Sequence, residues 1–579
     1  MKKVVFCCLV LAAAVQSWPE GTRCAADRPP HVRLLESPHF DVYHGPAERE
    51  AARHAIVLAE RWYDKLSRLF GRGLERRHTL VLHATATCFR RDRANRVLNP
   101  LSGGVTVGRS ALIALPFGWS LAETEHVLAH ELVHAFQYEA AGRSQPAFPD
   151  LPSWFVEGMA ECLALGPDDP AVLCWIREAA RRKGPPGLSD LGDAPHLAYR
   201  AGHAAWRFLV DRFGAGVVPR LLHAPGNFAR KVEAVLGLTV AELSAQWRRA
   251  VAEGVRRDSD ERAPAAEYGR GEAFAPPGRT LAVDAVAPSL SPDGRLLVWA
   301  SPGMPGELWL ADSFSGSVRR QLLAPGINPR YDSLQVLNSS AGWEPRGRRL
   351  AVAASRDGRP LLVIVDTATG HCEREIRLEE PGEISGVAWS PDGRQLAFAG
   401  QAGGWTDLYL HHLETGTVRR LTDDAFADIQ PAWTPDGGSL VFATDRFTTD
   451  LAALRSGPLR LGVIDVTSGV ARELPGTHGG GNVSPRVLSS GEILFLGEAD
   501  RRPSVYQLSP SRGEIVRLTQ LDVEVSGPTR MSPAITTARG GVFAYSAFRG
   551  GRYEIVLTRL PSMPGATLHA SFAGRPAGE

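Results

Sequence analysis

His130 and His134 stand four residues apart, with Glu131 beside the first, in the run His130-Glu131-Leu132-Val133-His134. Residues four apart share one face of a helix, so both imidazoles can reach a single tetrahedral metal ion. The glutamate then points into the same cleft, where it can take a proton from metal-activated water. A second acidic segment follows, Trp154-Phe155-Val156-Glu157-Gly158-Met159-Ala160-Glu161. A carboxylate from it, on a second helix, would supply a third ligand and leave the fourth position open. That ligand count reads as a zinc hydrolase site, since structural zinc sites close with a fourth protein ligand.

The motif needs a helix, and its flanks supply one. Leu128, Leu132, Ala135 and Phe136 recur at helical spacing, and Ser120 with Glu123 three residues on forms a capping box. His126 lies four before His130 and shares its face. It is a further turn away and cannot converge on the same ion, so it is read as a support or as structural. Upstream, Phe40–Tyr43 and Thr79–His83 read as strands and Glu48–Leu69 as a helix, with strand candidates at 103–108 and 111–116.

The combination of His130-Glu131-Leu132-Val133-His134-Ala135-Phe136-Gln137 with Pro152-Ser153-Trp154-Phe155-Val156-Glu157-Gly158-Met159-Ala160-Glu161 resembles the gluzincin branch of the zincin metallopeptidases, the peptidase MA-like group. The resemblance implies an α+β zincin-like metallopeptidase domain over 28–252. It carries over Zn2+ ligands His130, His134 and Glu157, with Glu131 as general base. Glu161 resembles the family's second acidic position, which supports a ligand. Glu157 and Glu161 share a helical face, so the residues alone leave an exchange of those roles open. In zincins an edge strand ahead of the motif helix lines the cleft and holds an extended peptide by backbone pairing, and residues 105–115 are the candidate. Tyr199 opens a further helix reaching to about Phe213. Related gluzincins stabilise the oxyanion with a tyrosine or sometimes a histidine, which leaves Tyr199 and His203 as catalytic candidates beside a purely structural reading of both. A metzincin would need His-x-x-Gly-x-x-His after the second histidine, where this chain has Ala135-Phe136-Gln137-Tyr138-Glu139.

A chain of 579 residues exceeds one hydrophobic core. Its 44% hydrophobic and 22% charged residues are ordinary for globular domains, and the net charge of +2 comes without a basic, aromatic-interleaved stripe, so no nucleic-acid partner is expected. Lys2-Lys3, the apolar run Val4–Val15 and Val15-Gln16-Ser17 read as a signal peptide over 1–17, with cleavage as late as 26. The run is too short to span a bilayer and no longer one follows. The expectation is an exported protein, periplasmic or extracellular, without membrane insertion. Of seven cysteines, Cys162 with Cys174 is the plausible disulfide, against a reading of Cys162 as a buried apolar residue.

The second half repeats itself. Ser291-Pro292-Asp293-Gly294-Arg295 returns as Glu344-Pro345-Arg346-Gly347-Arg348, Ser390-Pro391-Asp392-Gly393-Arg394 and Thr434-Pro435-Asp436-Gly437-Gly438, with weaker echoes at Gly491 and Gly540. Each tight turn precedes an apolar strand and a second hairpin, and four strands per repeat make one propeller blade. Six copies predict an all-β six-bladed propeller over 280–560, and the Ser-Pro-Asp-Gly-Arg unit resembles TolB-like propellers. A linker over 253–279 and a tail over 561–579 complete the division.

A propeller beside an enzyme also describes prolyl oligopeptidases, but the chain has no Gly-x-Ser-x-Gly and no room for a hydrolase domain after the propeller. Two functions then compete. One is a zinc metallopeptidase acting on a peptide or protein substrate, with the propeller available to a protein partner. The other is a non-catalytic propeller-based binding module with a vestigial metal site. The complete set His130, Glu131, His134 and Glu157 favours the first, because a structural zinc has no use for Glu131.

Overall fold

The structure, a computed structural model, describes residues 32–92, 103–142, 150–260 and 279–560, save short stretches at 168, 182–183, 185, 192–194, 302–305, 326–329, 336–337, 478–479, 499–502, 520–523, 526–528, 530 and 550–551. The proposed signal peptide, the tail and most of the expected linker lie outside the described residues. The chain divides into two compact units, Met1–Arg262 and Ala263–Glu579. No described helix is long and apolar enough to cross a membrane.

The first unit is α+β. Strands β1 (Arg33–Glu36), β2 (Phe40–His44), β3 (His78–His83), β4 (Val105–Val107) and β5 (Leu112–Pro116) form one sheet in the order β1-β2-β3-β5-β4. The central strands β2, β3 and β5 run parallel, while β1 and β4 pair antiparallel at the two edges. Its helices are α1 (Arg49–Phe70), α2 (Ala86–Arg91), α3 (Leu121–Ala140), α4 (Ser153–Leu165), α5 (Pro170–Arg181), α6 (Pro195–Phe213), α7 (Val217–His223), α8 (Phe228–Leu236) and α9 (Val240–Asp260). Helix α1 buries Ala55, Leu58, Ala59, Trp62 and Leu66, a 3.6-residue stripe, and its Tyr63 and Phe70 rings pack on Phe136 of α3.

Helix α3 begins where its capping residues place it. Ser120 Oγ accepts from the Glu123 backbone N at 3.1 Å, and Glu123 Oε2 accepts from the Trp119 backbone N at 2.6 Å. One of the helix's orphan N-terminal donors and the residue entering the N-cap are thereby held, which fixes where α3 starts.

Two expectations change. Residues 105–115 are not one edge strand but two strands joined by a 3-10 turn at Gly108–Ser110, with Ala111 at φ 49°. Only β4 is an edge, and β5 is interior. The chain turns at Gly108 because it passes beneath α3, where a Cβ would lie 2.4 Å from the Tyr138 side chain. The expected linker also starts too early. Leu243, Trp247, Val251 and Val255 continue one apolar stripe, and α9 runs through it to Asp260.

The second unit is a six-bladed propeller: six separate antiparallel sheets, four of four strands and two of five. The inner strands Val286–Leu290, Gly342–Trp343, Glu383–Trp389, Asp428–Trp433, Asn482–Val487 and Ile535–Thr537 touch one another in a closed cycle. The predicted turn glycines Gly294, Gly347, Gly393 and Gly437 all sit at φ 72–75°, the left-handed region that favours glycine. In three of these four turns the preceding serine or threonine hydroxyl caps the hairpin: Ser291, Ser390 and Thr434 oxygens accept from the backbone N of Leu296, Gln395 and Ser439 at 2.9, 2.9 and 3.0 Å. The ring closes by a clasp, since strand Arg279–Val283 at the start of the unit pairs antiparallel with Arg552–Arg559 at its end.

Within the first unit α4 and α6 approach unusually closely. A Cβ on Gly158 would stand 2.3 Å from the Gly202 carbonyl carbon, and one on Gly202 would stand 2.4 Å from the Trp154 carbonyl oxygen. Backbone cannot yield as a side-chain tip can, so Gly158→Ala is expected to force the helices apart at about 1–3 kcal/mol of stability. Thermal unfolding of the variant measures it, and an unchanged midpoint would contradict the close approach.

Candidate metal centre

Helix α3 presents His126, His130 and His134 on successive turns, with Glu131 between, and α4 presents Glu157 and Glu161 one turn apart. His130 Nε2 lies 3.1 Å from His134 Nε2, and Glu157 Oε2 lies 3.4 Å from each. Ligands at zinc's usual distances stand about 3.3–3.4 Å apart along the edge of a tetrahedron. These three atoms therefore form a face of the right size, and the donor set of two imidazoles and one carboxylate suits zinc chemically. Among the described residues no fourth histidine, cysteine or carboxylate joins them. Glu161 also shares a group with His126 and His130, but it approaches His130 at Nδ1, behind the ring.

Each imidazole is held from behind. Glu161 Oε2 lies 3.0 Å from His130 Nδ1 and 3.1 Å from His126 Nε2, so His126 anchors the carboxylate that orients His130. Gln137 Oε1 lies 2.8 Å from His134 Nδ1, while its amide nitrogen donates to the Val156 carbonyl at 3.0 Å. Both contacts leave Nε2 of each ring facing Glu157. Gln137 was not singled out from sequence, although its place one turn after His134 is the signal that could have found it.

Glu131 is buried, and the Thr106 hydroxyl of β4 donates to its Oε2 at 2.6 Å. Gly104, just ahead of β4, leaves the space its side chain fills, since a Cβ there would lie 2.8 Å from Glu131 Cγ. Neither Thr106 nor Gly104 carried a sequence signal, because both act across a gap of some 25 residues.

Burial opposes charge on His130 and His134, but hydrogen bonds to Glu157 outweigh it and raise both, His130 to about 10. Burial likewise opposes ionisation of Glu157 and Glu161, and the facing histidines overturn it and hold both carboxylates well below their ordinary range. In the metal-free chain a proton thus does what a cation would do, and a metal must displace it.

Tyr199 and His203 lie in α6, which begins a turn earlier than the sequence suggested, at Pro195. The Tyr199 ring stacks on His130 with centroids 5.8 Å apart, and burial with the neighbouring Glu157 raises its hydroxyl pKa, keeping it protonated. His203 is fully buried, its Nε2 lies 2.8 Å from the Gly166 carbonyl, and burial lowers it to about 4. The fold thus brings Tyr199 to the metal-facing atoms and turns His203 toward the end of α4. The pairing of Cys162 with Cys174 is not formed: Cys162 is free and buried in α4, where burial pushes its thiol up to about 12. Cys88 is the described residue that is disulfide-bonded.

A further acidic group, Asp407, Asp424 and Asp428, sits in the propeller. Arg420 pairs with Asp407 and Arg446 with Asp428, so this cluster already has its cations.

Residues 326–450 match the TolB beta propeller domain family. Among solved structures, a TolB from Agrobacterium tumefaciens is 19% identical over 48% of this chain and 91% of its own, with a TM-score of 0.36. TolB from Acinetobacter baumannii is 19% identical over 56% of this chain and 75% of its own, with a TM-score of 0.32. A puromycin hydrolase is 18% identical over 48% of this chain and 54% of its own, with a TM-score of 0.33. The blade count rests on the strand topology itself.

Removing the groups behind the imidazoles should weaken metal binding without removing a ligand. Glu161→Gln and Gln137→Leu are each expected to lower zinc affinity about 10–100-fold, read by competition with a chromogenic chelator. Affinity equal to the wild type in both would show that the rings need no such support.

Proposed function

We propose that this chain is a zinc-dependent metallopeptidase of gluzincin type. The observation that carries the reading is the triangle of His130 Nε2, His134 Nε2 and Glu157 Oε2, with sides of 3.1, 3.4 and 3.4 Å. It is supported by Glu131 on the same helix, whose carboxylate acts electrostatically on both histidines and on Tyr199. His130, His134 and Glu157 would hold the metal. When bound, zinc supplies Lewis acidity toward the scissile carbonyl and the attacking water.

The chain's own residues do the rest. Glu131 accepts the water proton at its carboxylate and passes it to the leaving amine nitrogen, and Thr106 keeps that carboxylate aimed. Tyr199, held protonated, donates to the oxyanion as the carbonyl becomes tetrahedral. The outer edge of β4 offers backbone groups to an extended peptide, beside Glu131. Export fits the disulfide at Cys88, a bond of oxidising compartments. The propeller serves substrate or partner binding.

Two substitutions test the assignment. Glu131→Gln should retain stoichiometric zinc and lose hydrolysis of a quenched peptide library, whereas a wild type that takes up no zinc when supplemented would point to the propeller as the working part. Tyr199→Phe should lower kcat by about 10²–10³-fold with zinc content and KM little changed. Unaltered kcat would return Tyr199 to a packing role.

A further inference from the structure

The axis of the propeller carries a charge that no described carboxylate neutralises. Arg486 projects from the inner strand of the fifth blade, and its Nη2 donates to Ser340 Oγ on the second blade at 3.1 Å. In the cycle of six inner strands those two blades face each other, so the guanidinium that joins them lies on the axis of the ring. Its Nη1 donates to the Pro485 carbonyl at 2.9 Å. Of five guanidinium N–H donors, three are left without a partner among the described residues.

Among the described residues no carboxylate pairs with Arg486. Burial lowers its pKa to about 10. Arg420 and Arg446, also in the propeller, show the contrast, each bonded to a buried aspartate. Two other polar side chains near Arg486 are already bonded: Ser339 Oγ accepts from Gly386 N at 3.0 Å, and Gln430 Oε1 accepts from Ser484 N at 2.6 Å. As a whole residue Arg486 is half-buried rather than sealed in the ring.

We propose that the propeller axis binds a single carboxylate, held by the free N–H groups of Arg486. A planar two-oxygen group matches the guanidinium edge, and its one charge is matched by one cation. A phosphate dianion would remain half-neutralised beside a lone guanidinium in a desolvated setting. The carboxylate comes from a peptide, either at its C-terminus or on an acidic side chain. This site is independent of the zinc reading.

Calorimetric titration of the full chain carrying Glu131→Gln, which cannot turn over the probes, tests it. The probes are an N-acetylated Gly/Ser pentapeptide with a free C-terminal carboxylate, its C-terminal amide, and that amide with a central Glu. At least one acid probe should bind tenfold or more tighter than the plain amide, and which one does identifies the source of the carboxylate. Adding Arg486→Gln should erase the preference, while Arg486→Lys, which keeps the charge without the fork, should reduce it and guard against misfolding. Equal binding of acids and amide, a preference that survives Arg486→Gln, or displacement by inorganic phosphate at lower concentration than by acetate would overturn the proposal.

Discussion

The distance between α4 and α6 governs the geometry of the metal-facing groups. Gly158 and Gly202 let two helix backbones touch where any Cβ would collide. Trp206 Nε1 then donates to the Phe155 carbonyl at 2.7 Å, locking the crossing in buried aromatic packing. Glu157 is the residue before Gly158, and Tyr199 lies one turn before Gly202 on α6. The contact therefore delivers a carboxylate from one helix and a phenol from the other to the same two imidazoles. Two missing methyl groups position the Glu157 carboxylate as surely as any hydrogen bond.

The electrostatics of the first unit follow from that packing. Glu131, Glu157 and Glu161 gather around histidines in a largely buried space, and like charges so placed need a cation among them. The site is thus built around a positive charge, which protons on the imidazoles supply. The propeller meets the same demand differently, with arginines fixed against Asp407 and Asp428. There the cation is covalently part of the fold, whereas around His130 it is exchangeable.

What could be read from the sequence was what is periodic or local. The i, i+4 histidines, the capping of α3 by Ser120 and the recurring Pro-Asp-Gly turns all express contacts within a few residues, and the propeller's blade count followed from them. The groups that escaped notice act across the chain: Thr106 on Glu131, the glycine pair between α4 and α6, and Arg486 reaching to Ser340. Gln137 was visible but mute, because a glutamine one turn past a histidine is common on helices. Tyr199 and His203 were indistinguishable on paper, being one turn apart. Only the rotation of α6, set by its glycine contact, turns the first toward His130 and the second toward Gly166. The linker was drawn too early because composition outweighed a weak apolar stripe in α9.

The clasp between Arg279–Val283 and Arg552–Arg559 also orders events in time. A ribosome releases the first of these strands long before the second, so the early strand waits unpaired while five blades and most of a sixth are made. Closing so long a loop carries an entropic penalty that grows only slowly with its length, which makes the delay tolerable. The non-local pairing still comes late in folding. Among the described residues the sheet and helices of the first unit pair with one another, so the helices that carry the histidines can assemble while the propeller ring is still open.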